Sequence, residues 1–182
     1  MNRFRTSAAV FSALLLLCFP LFAAESAPQQ PPKPQRPCDT SEGGQLDFWV
    51  GDWALTWKDA KGNTQTGSNK IEKVLNQCII QENFNGPGLE GRSWSVYDPK
   101  TKQWRQTWVD SNGSYLEFTG AFADGKMELR MPATKGPDGK SVVRRMVFHD
   151  IKKDSLTWSW QSTNDGGKTW KDLWVIQYKR KA

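Results

Sequence analysis

Three features of this chain predict an all-β fold, an antiparallel up-and-down barrel of about 8–10 strands. Short β-rich runs alternate with turn signals along residues 39–182. Period-2 alternation places tryptophans on one face of at least four of these runs, and no segment carries a long 3.6-residue period. About ten short strands joined by hairpins, with little room for crossovers, describe a meander, and a meander of this size closes into a barrel or folds as a sandwich.

The first 24 residues stand apart from that pattern. Arg3 and Arg5 form a charged beginning, Ala8 to Phe22 is an apolar run, and the small residues Ala23, Ala24, Ser26 and Ala27 follow. That order predicts a secretory signal peptide over 1–24, with an apolar run too short for a comfortable membrane anchor. Cys18 follows three leucines and reads as part of the apolar run, not as a lipid-modified cysteine. Residues 25–38 include the stretch PQQPPKPQRP, and five prolines in ten residues predict a disordered, extended linker. The barrel domain is expected over 39–182, in a protein that is exported and then periplasmic or secreted. Outside the leader, Cys38 and Cys78 are the only cysteines. In an oxidising compartment they most simply form one disulfide, and zinc lacks a second ligand pair.

The whole chain is +6, and without Arg3 and Arg5 it is +4. The basic residues fall in the small clusters Arg144-Arg145, Lys152-Lys153 and Lys179-Arg180-Lys181, which read as solvated strand ends and not as a nucleic-acid footprint. No later segment is apolar enough to cross a membrane, and a monomer or weak homodimer is expected.

Leu46 to Val50 reads as a short helical turn leading into the barrel. Strands are predicted over 53–58, 70–75, 78–84, 92–97, 103–110, 115–122, 126–131, 142–150, 156–162 and 169–179. Asn-Gly and Asp-Gly signals such as Ser111-Asn112-Gly113 and Asp124-Gly125 punctuate them, because these residues tolerate the positive φ of tight hairpins. Inward faces are assigned from the alternation: Trp53, Leu55 and Trp57 in the first strand; Trp104, Gln106 and Trp108 in the fifth; Leu156, Trp158 and Trp160 in the ninth. In the last strand they are Trp170, Asp172, Trp174, Ile176, Tyr178 and Arg180. The 142–150 strand is ambiguous, since both faces mix apolar residues with Arg144 or Arg145.

The segments FWVGDW (48–53), GRSWSVYDP (91–99), QWRQTWVD (103–110), GSYLEFTG (113–120) and STNDGGKTW (162–170) resemble a bacterial secreted family known only as a lipocalin-like (calycin-like) domain of unknown function. The resemblance implies a barrel and an unassigned role. The weaker likeness to true lipocalins rests on Gly51-Asp52-Trp53 and on Arg180, which it implies would stack on Trp53 at the closed end. The Arg-x-Tyr by which fatty-acid-binding proteins hold a carboxylate is missing, since residues 177–180 read Gln-Tyr-Lys-Arg.

Small apolar or aromatic ligand binding in an aromatic-lined cavity is the leading expectation, with Arg92, Trp94, Trp104, Gln106, Trp108, Trp158 and Trp160 as candidate ligand contacts. Arg92 shares a strand face with Trp94 and Val96; it faces inward, or it snorkels to the rim or pairs with Asp98. Most of the tryptophans are expected to be packing. A carbohydrate- or envelope-binding module using tryptophan platforms is the alternative. An enzyme is a third reading, less favoured because no nucleophile elbow, phosphate loop, dinucleotide fingerprint or metal-spaced histidine pair is present. Glu82, Asp110 and Glu117 are the carboxylates from which a pair would have to come. His149, the single histidine, is expected to be structural, and no cofactor is expected; haem ligation as in nitrobindin-like barrels is the remote exception. Asn164 to Trp170 resembles an Asp-box and is read as a turn in which Asp165 bonds the backbone and Trp170 returns to the core.

Overall fold

A computed structural model of the chain describes residues 38–181. The predicted leader, and the predicted linker up to residue 37, lie outside the described residues. A 3₁₀ turn at Asp47–Trp49 leads into eleven strands: β1 (Gly51–Lys58), β2 (Thr64–Val74), β3 (Ile79–Gly86), β4 (Leu89–Asp98), β5 (Gln103–Asp110), β6 (Tyr115–Ala123), β7 (Lys126–Arg130), β8 (Thr134–Lys135), β9 (Ser141–His149), β10 (Ser155–Thr163) and β11 (Lys171–Arg180). Each strand pairs antiparallel with the next, except that β7 and the two-residue β8 both pair with β9. Pairing of β1 with β11 closes ten strands into a barrel. Closure removes the edges that an open sheet would present.

Most of the strands follow the alternation. In β1, Trp53 and Leu55 are buried while Ala54 and Thr56 are exposed. In β9 the two-sided ambiguity resolves: Met146 and Phe148 join the core, and Arg145 turns to the outer wall. Both boundaries of β2 differ from expectation. β2 begins at Thr64, not Lys70, because its first residues are polar on both faces and give no hydropathy signal; the Lys58↔Thr64 to Ala54↔Ser68 ladder holds them. Leu75 leaves β2 with φ 48, in a turn where Asn76 and Gln77 also have positive φ.

One end of the barrel is plugged by the segment before β1. Leu46 and Trp49 are fully buried in the same core as Trp53 and Phe148. Trp53 Nε1 donates to the Trp49 carbonyl at 2.7 Å, and Trp104 Nε1 donates to Gln45 Oε1 at 3.1 Å. The Cys38–Cys78 disulfide ties the start of this segment to the turn between β2 and β3.

Arg180 lies opposite Trp53 across the β1–β11 seam, with its guanidinium over the indole at 4.2 Å. Its nitrogens donate to the carbonyls of Val50 (2.8 Å), Phe48 (3.2 Å) and Lys153 (3.1 Å). Gly51 has φ +133, and a Cβ there would stand 2.1 Å from Arg180 Nη1. A side chain at Gly51 would therefore strain the backbone and displace the arginine together.

Gly51→Ala is expected to lower the unfolding free energy by about 2–3 kcal/mol in urea titrations. Gly62→Ala is the control, because φ there is +83 but nothing stands within 4 Å of an added Cβ; it should cost only the backbone term of about 1 kcal/mol. Equal effects would remove Arg180 from the explanation. The disulfide closes a loop with a sequence separation of 40, so Cys38→Ser with Cys78→Ser is expected to destabilise by about 4 kcal/mol in the chain-entropy treatment.

Candidate functional site

The plug leaves the middle and other end of the barrel hollow. The cavity has a volume of ≈ 190 Å³. Its walls are mostly rings: Phe84, Trp108, Phe118, Trp158, Trp160 and Trp174 around the sides, with Trp49, Phe148 and Tyr178 towards the plug. The rings brace one another edge to face, Trp174 against both Phe84 (5.9 Å) and Trp158 (5.7 Å), and Phe118 against Trp160 (5.9 Å). A Cβ on Gly91 would stand 2.0 Å from the Trp108 ring, so only glycine lets that indole lie flat against β4.

A polar stripe crosses the inner wall from β2 to β5. Glu82, opposite Ser93 in the β3–β4 ladder, lines the cavity. Its carboxylate accepts from Asn69 Nδ2 at 2.6 Å and from Ser93 Oγ at 2.6 Å. Gln106 Nε2 donates to Ser93 Oγ and Ser95 Oγ at 3.1 and 3.0 Å. Asn69 Nδ2 also donates to the Tyr178 hydroxyl at 3.1 Å. Burial pushes the Glu82 carboxyl up to about 7, although the Ser93 and Asn69 hydrogen bonds and the Arg92 charge oppose that rise. Burial, followed by the Glu82 charge, raises the Tyr178 phenol too. Among the described residues three buried side-chain atoms lack a hydrogen-bond partner: Asn69 Oδ1, Gln106 Oε1 and Trp49 Nε1, the last of which interacts with the Tyr178 phenol.

Asp110 is the second carboxylate on the cavity wall. Burial acts to raise it, but hydrogen bonds from Trp108 Nε1 (2.9 Å) and the N–H groups of Asn112 (2.9 Å) and Ser114 (3.1 Å) outweigh burial and hold it below its usual range. Glu82 and Asp110 have separate sets of partners and do not form a pair. Glu117 is on the outer wall, where Tyr115 donates to it at 3.3 Å.

Of the seven candidate contacts, Trp108, Trp158 and Trp160 line the cavity. Trp104 and Gln106 face the same interior but are buried beside the plug and in the polar stripe. Arg92 and Trp94 face outward, so of the readings open for Arg92 the inward one is corrected, and Trp94 does not reach the cavity. The inner residues of that strand are Gly91, Ser93 and Ser95, Trp94 is 42% exposed, and Arg92 donates to the Phe84 and Gly91 carbonyls. Trp94 is the only exposed tryptophan of the ten, so the outer surface carries no array of indole platforms.

The last strand needs a second correction. The β10–β11 register shifts after Trp160↔Trp174, leaving Leu173 as an extra residue, so Gln161 pairs with Asp172. That bulge reverses the alternation. Trp174 faces the cavity, while Asp172 turns out to accept from Gln161 Nε2 at 2.8 Å. Trp170 does not return to the core; the Arg145 guanidinium covers it at 3.7 Å. Asp165 does organise the preceding turn, accepting from the N–H groups of Lys168 and Thr169 and the hydroxyls of Thr163 and Thr169. Those bonds, led by the Thr163 hydroxyl, pull its carboxyl far below the usual range.

His149 lies on the outer wall, its Nδ1 2.8 Å from Asp150 Oδ2 and its Nε2 3.0 Å from Ser159 Oγ. Both ring nitrogens are engaged, Ser159 is buried, and none of the three lines the cavity. Among the described residues no cluster of three or more His, Cys, Asp or Glu has the arrangement to hold a metal ion.

Residues 40–180 match the family described as "Protein of unknown function (DUF1579)". The chain belongs to that family. No curated protein matches. Among solved structures, a protein of unknown function from the DUF3598 family of Nostoc punctiforme PCC 73102 covers 78% of this chain and 100% of its own at 9% identity, with a TM-score of 0.24.

The cavity-lining residues of this DUF1579 chain that the seven candidate contacts omit include Trp49, Phe84, Phe118, Trp174 and Tyr178, with Glu82 and Asp110 named only as carboxylates for a pair. One signal for Glu82 was present: Ile80-x-Glu82-x-Phe84 sets a carboxylate on an otherwise apolar strand face, where only a partnered or functional acid belongs.

The raised Glu82 carboxyl makes a signed prediction. The folded protein holds this proton more tightly than the unfolded chain, where the ordinary value is 4.5. Its contribution to stability is therefore fully present below about pH 4.5 and is lost as the pH rises through 7, a change of about 3 kcal/mol. Thermal unfolding should show wild type losing stability relative to Glu82→Gln between pH 4.5 and 8. Parallel profiles would contradict a raised carboxyl.

Proposed function

We propose that this protein is an exported, lipocalin-like barrel that binds one small, largely apolar or aromatic molecule in its cavity. The observation that carries the reading is a cavity of ≈ 190 Å³ walled by nine aromatic rings and stopped at one end by Leu46 and Trp49. An apolar cavity of roughly 150 Å³ takes benzene, and drug-sized pockets begin at about 300 Å³. The volume therefore favours a compact, single-ring body over an extended lipid chain or a haem. The Cys38–Cys78 disulfide and the leader-like first 24 residues support an oxidising, extracytoplasmic setting.

Titration with toluene is expected to shift tryptophan emission, since five indoles wall the cavity, and to raise the thermal midpoint. At a hundredfold excess over Kd the stabilisation is about 3 kcal/mol. Dodecanoate should do neither. If no single-ring aromatic changes emission or midpoint, the cavity is not a binding site for this class.

A further inference from the structure

The cavity wall carries an unbalanced charge. Among the described residues Glu82 and Asp110 are the only ionisable acids or bases on it besides the Tyr178 phenol, and no lysine, arginine or histidine lines it. The partners of Glu82, Asn69 and Ser93, are both neutral. Arg92, whose charge acts on Glu82, directs its Nη1 to two backbone carbonyls and not to the carboxylate. A buried carboxylate without a counter-ion is costly, and burial of such a group is ordinarily accompanied by a partner charge. The cavity that Glu82 lines is also lined by five tryptophans, and indole rings attract a positive charge through their quadrupoles. A bare metal ion does not suit the site, because no cluster of three ligating groups exists among the described residues. An anion would meet two carboxylates and no cation.

Resting on the reading of the cavity as a ligand site, we infer that its ligand is a compact organic cation: an amine on a small aromatic or branched apolar body, with its charge against Glu82 and its body among Trp108, Trp158, Trp160 and Trp174. Asp110, on the same wall and held ionised by its hydrogen bonds, adds a field of the same sign.

The test uses three probes of one shape and different charge at pH 8: benzylamine, benzyl alcohol and benzoate, each titrated into the intact protein by calorimetry, with tryptophan emission as a second readout. Benzylamine is expected to bind at least about tenfold more tightly than benzyl alcohol, equivalent to about 1.4 kcal/mol, and benzoate is expected not to bind. Glu82→Gln should weaken benzylamine to the level of benzyl alcohol and leave benzyl alcohol unchanged. Benzyl alcohol binding as well as benzylamine, or any binding of benzoate, overturns the cation assignment while the cavity reading stands. If none of the three binds and toluene does not either, the cavity reading itself fails. The wild-type series decides the matter even if Glu82→Gln does not fold.

Discussion

Arg180 is the point at which the barrel's first strand, last strand, plug and one hairpin loop meet. Its guanidinium covers Trp53 from across the β1–β11 seam while its nitrogens hold the carbonyls of Phe48, Val50 and Lys153. A planar fork with several fixed donors can do this; a lysine ammonium, a single point of charge, cannot replace it. In a closed barrel the register at one seam constrains the register all the way round, and a slip of one residue would turn every inner side chain outward. The inward tryptophans of β1, β5, β10 and β11 thus depend on a contact made far from the cavity that most of them wall.

The interior divides by chemistry. β5, β6 and β9 to β11 contribute most of the rings, whereas β2, β3 and β4 contribute Asn69, Glu82, Gly91, Ser93 and Ser95 beside Ile71, Ile80, Phe84 and Leu89. Small and polar residues on one wall are what let large rings stand on the opposite wall without filling the centre. Hydrogen bonds among Asn69, Glu82, Ser93 and Gln106 keep that polar wall ordered. In its present orientation Asn69 offers N–H to Glu82, which suits the ionised carboxylate; the reversed amide would suit the protonated acid. The stripe accommodates either state by rotating one amide.

Alternation served well where the inner face is apolar. Trp104, Gln106 and Trp108 in β5, and Leu156, Trp158 and Trp160 in β10, all turn inward, and the ten-strand meander was legible from the spacing of turns. It failed in β4 because the rule assumes that apolar residues face the interior. Gly91, Ser93 and Ser95 are inside for reasons of space and hydrogen bonding with residues of β3 and β5, and nothing local to β4 announces either need. It failed at Trp170 because the bulge at Leu173 changes phase, and a one-residue insertion in a ladder is a property of two strands, not of one. Glu82 was visible as an odd residue on its face, but its neighbours Asn69, Ser93 and Tyr178 come from three other strands.

The plug gives the barrel its polarity of access. Ten strands alone make a tube. It is the segment preceding β1, with Leu46 and Trp49 pushed into one end, that turns the tube into a cup, and Trp49 is part of the cup's inner surface. That base belongs to no strand. It is fastened by Arg180 at one side, by Gln45 on Trp104 at another, and by a covalent link from Cys38 to the β2–β3 turn. The capacity to hold a small molecule is therefore set partly outside the sheet, by how firmly a short stopper is fixed in place.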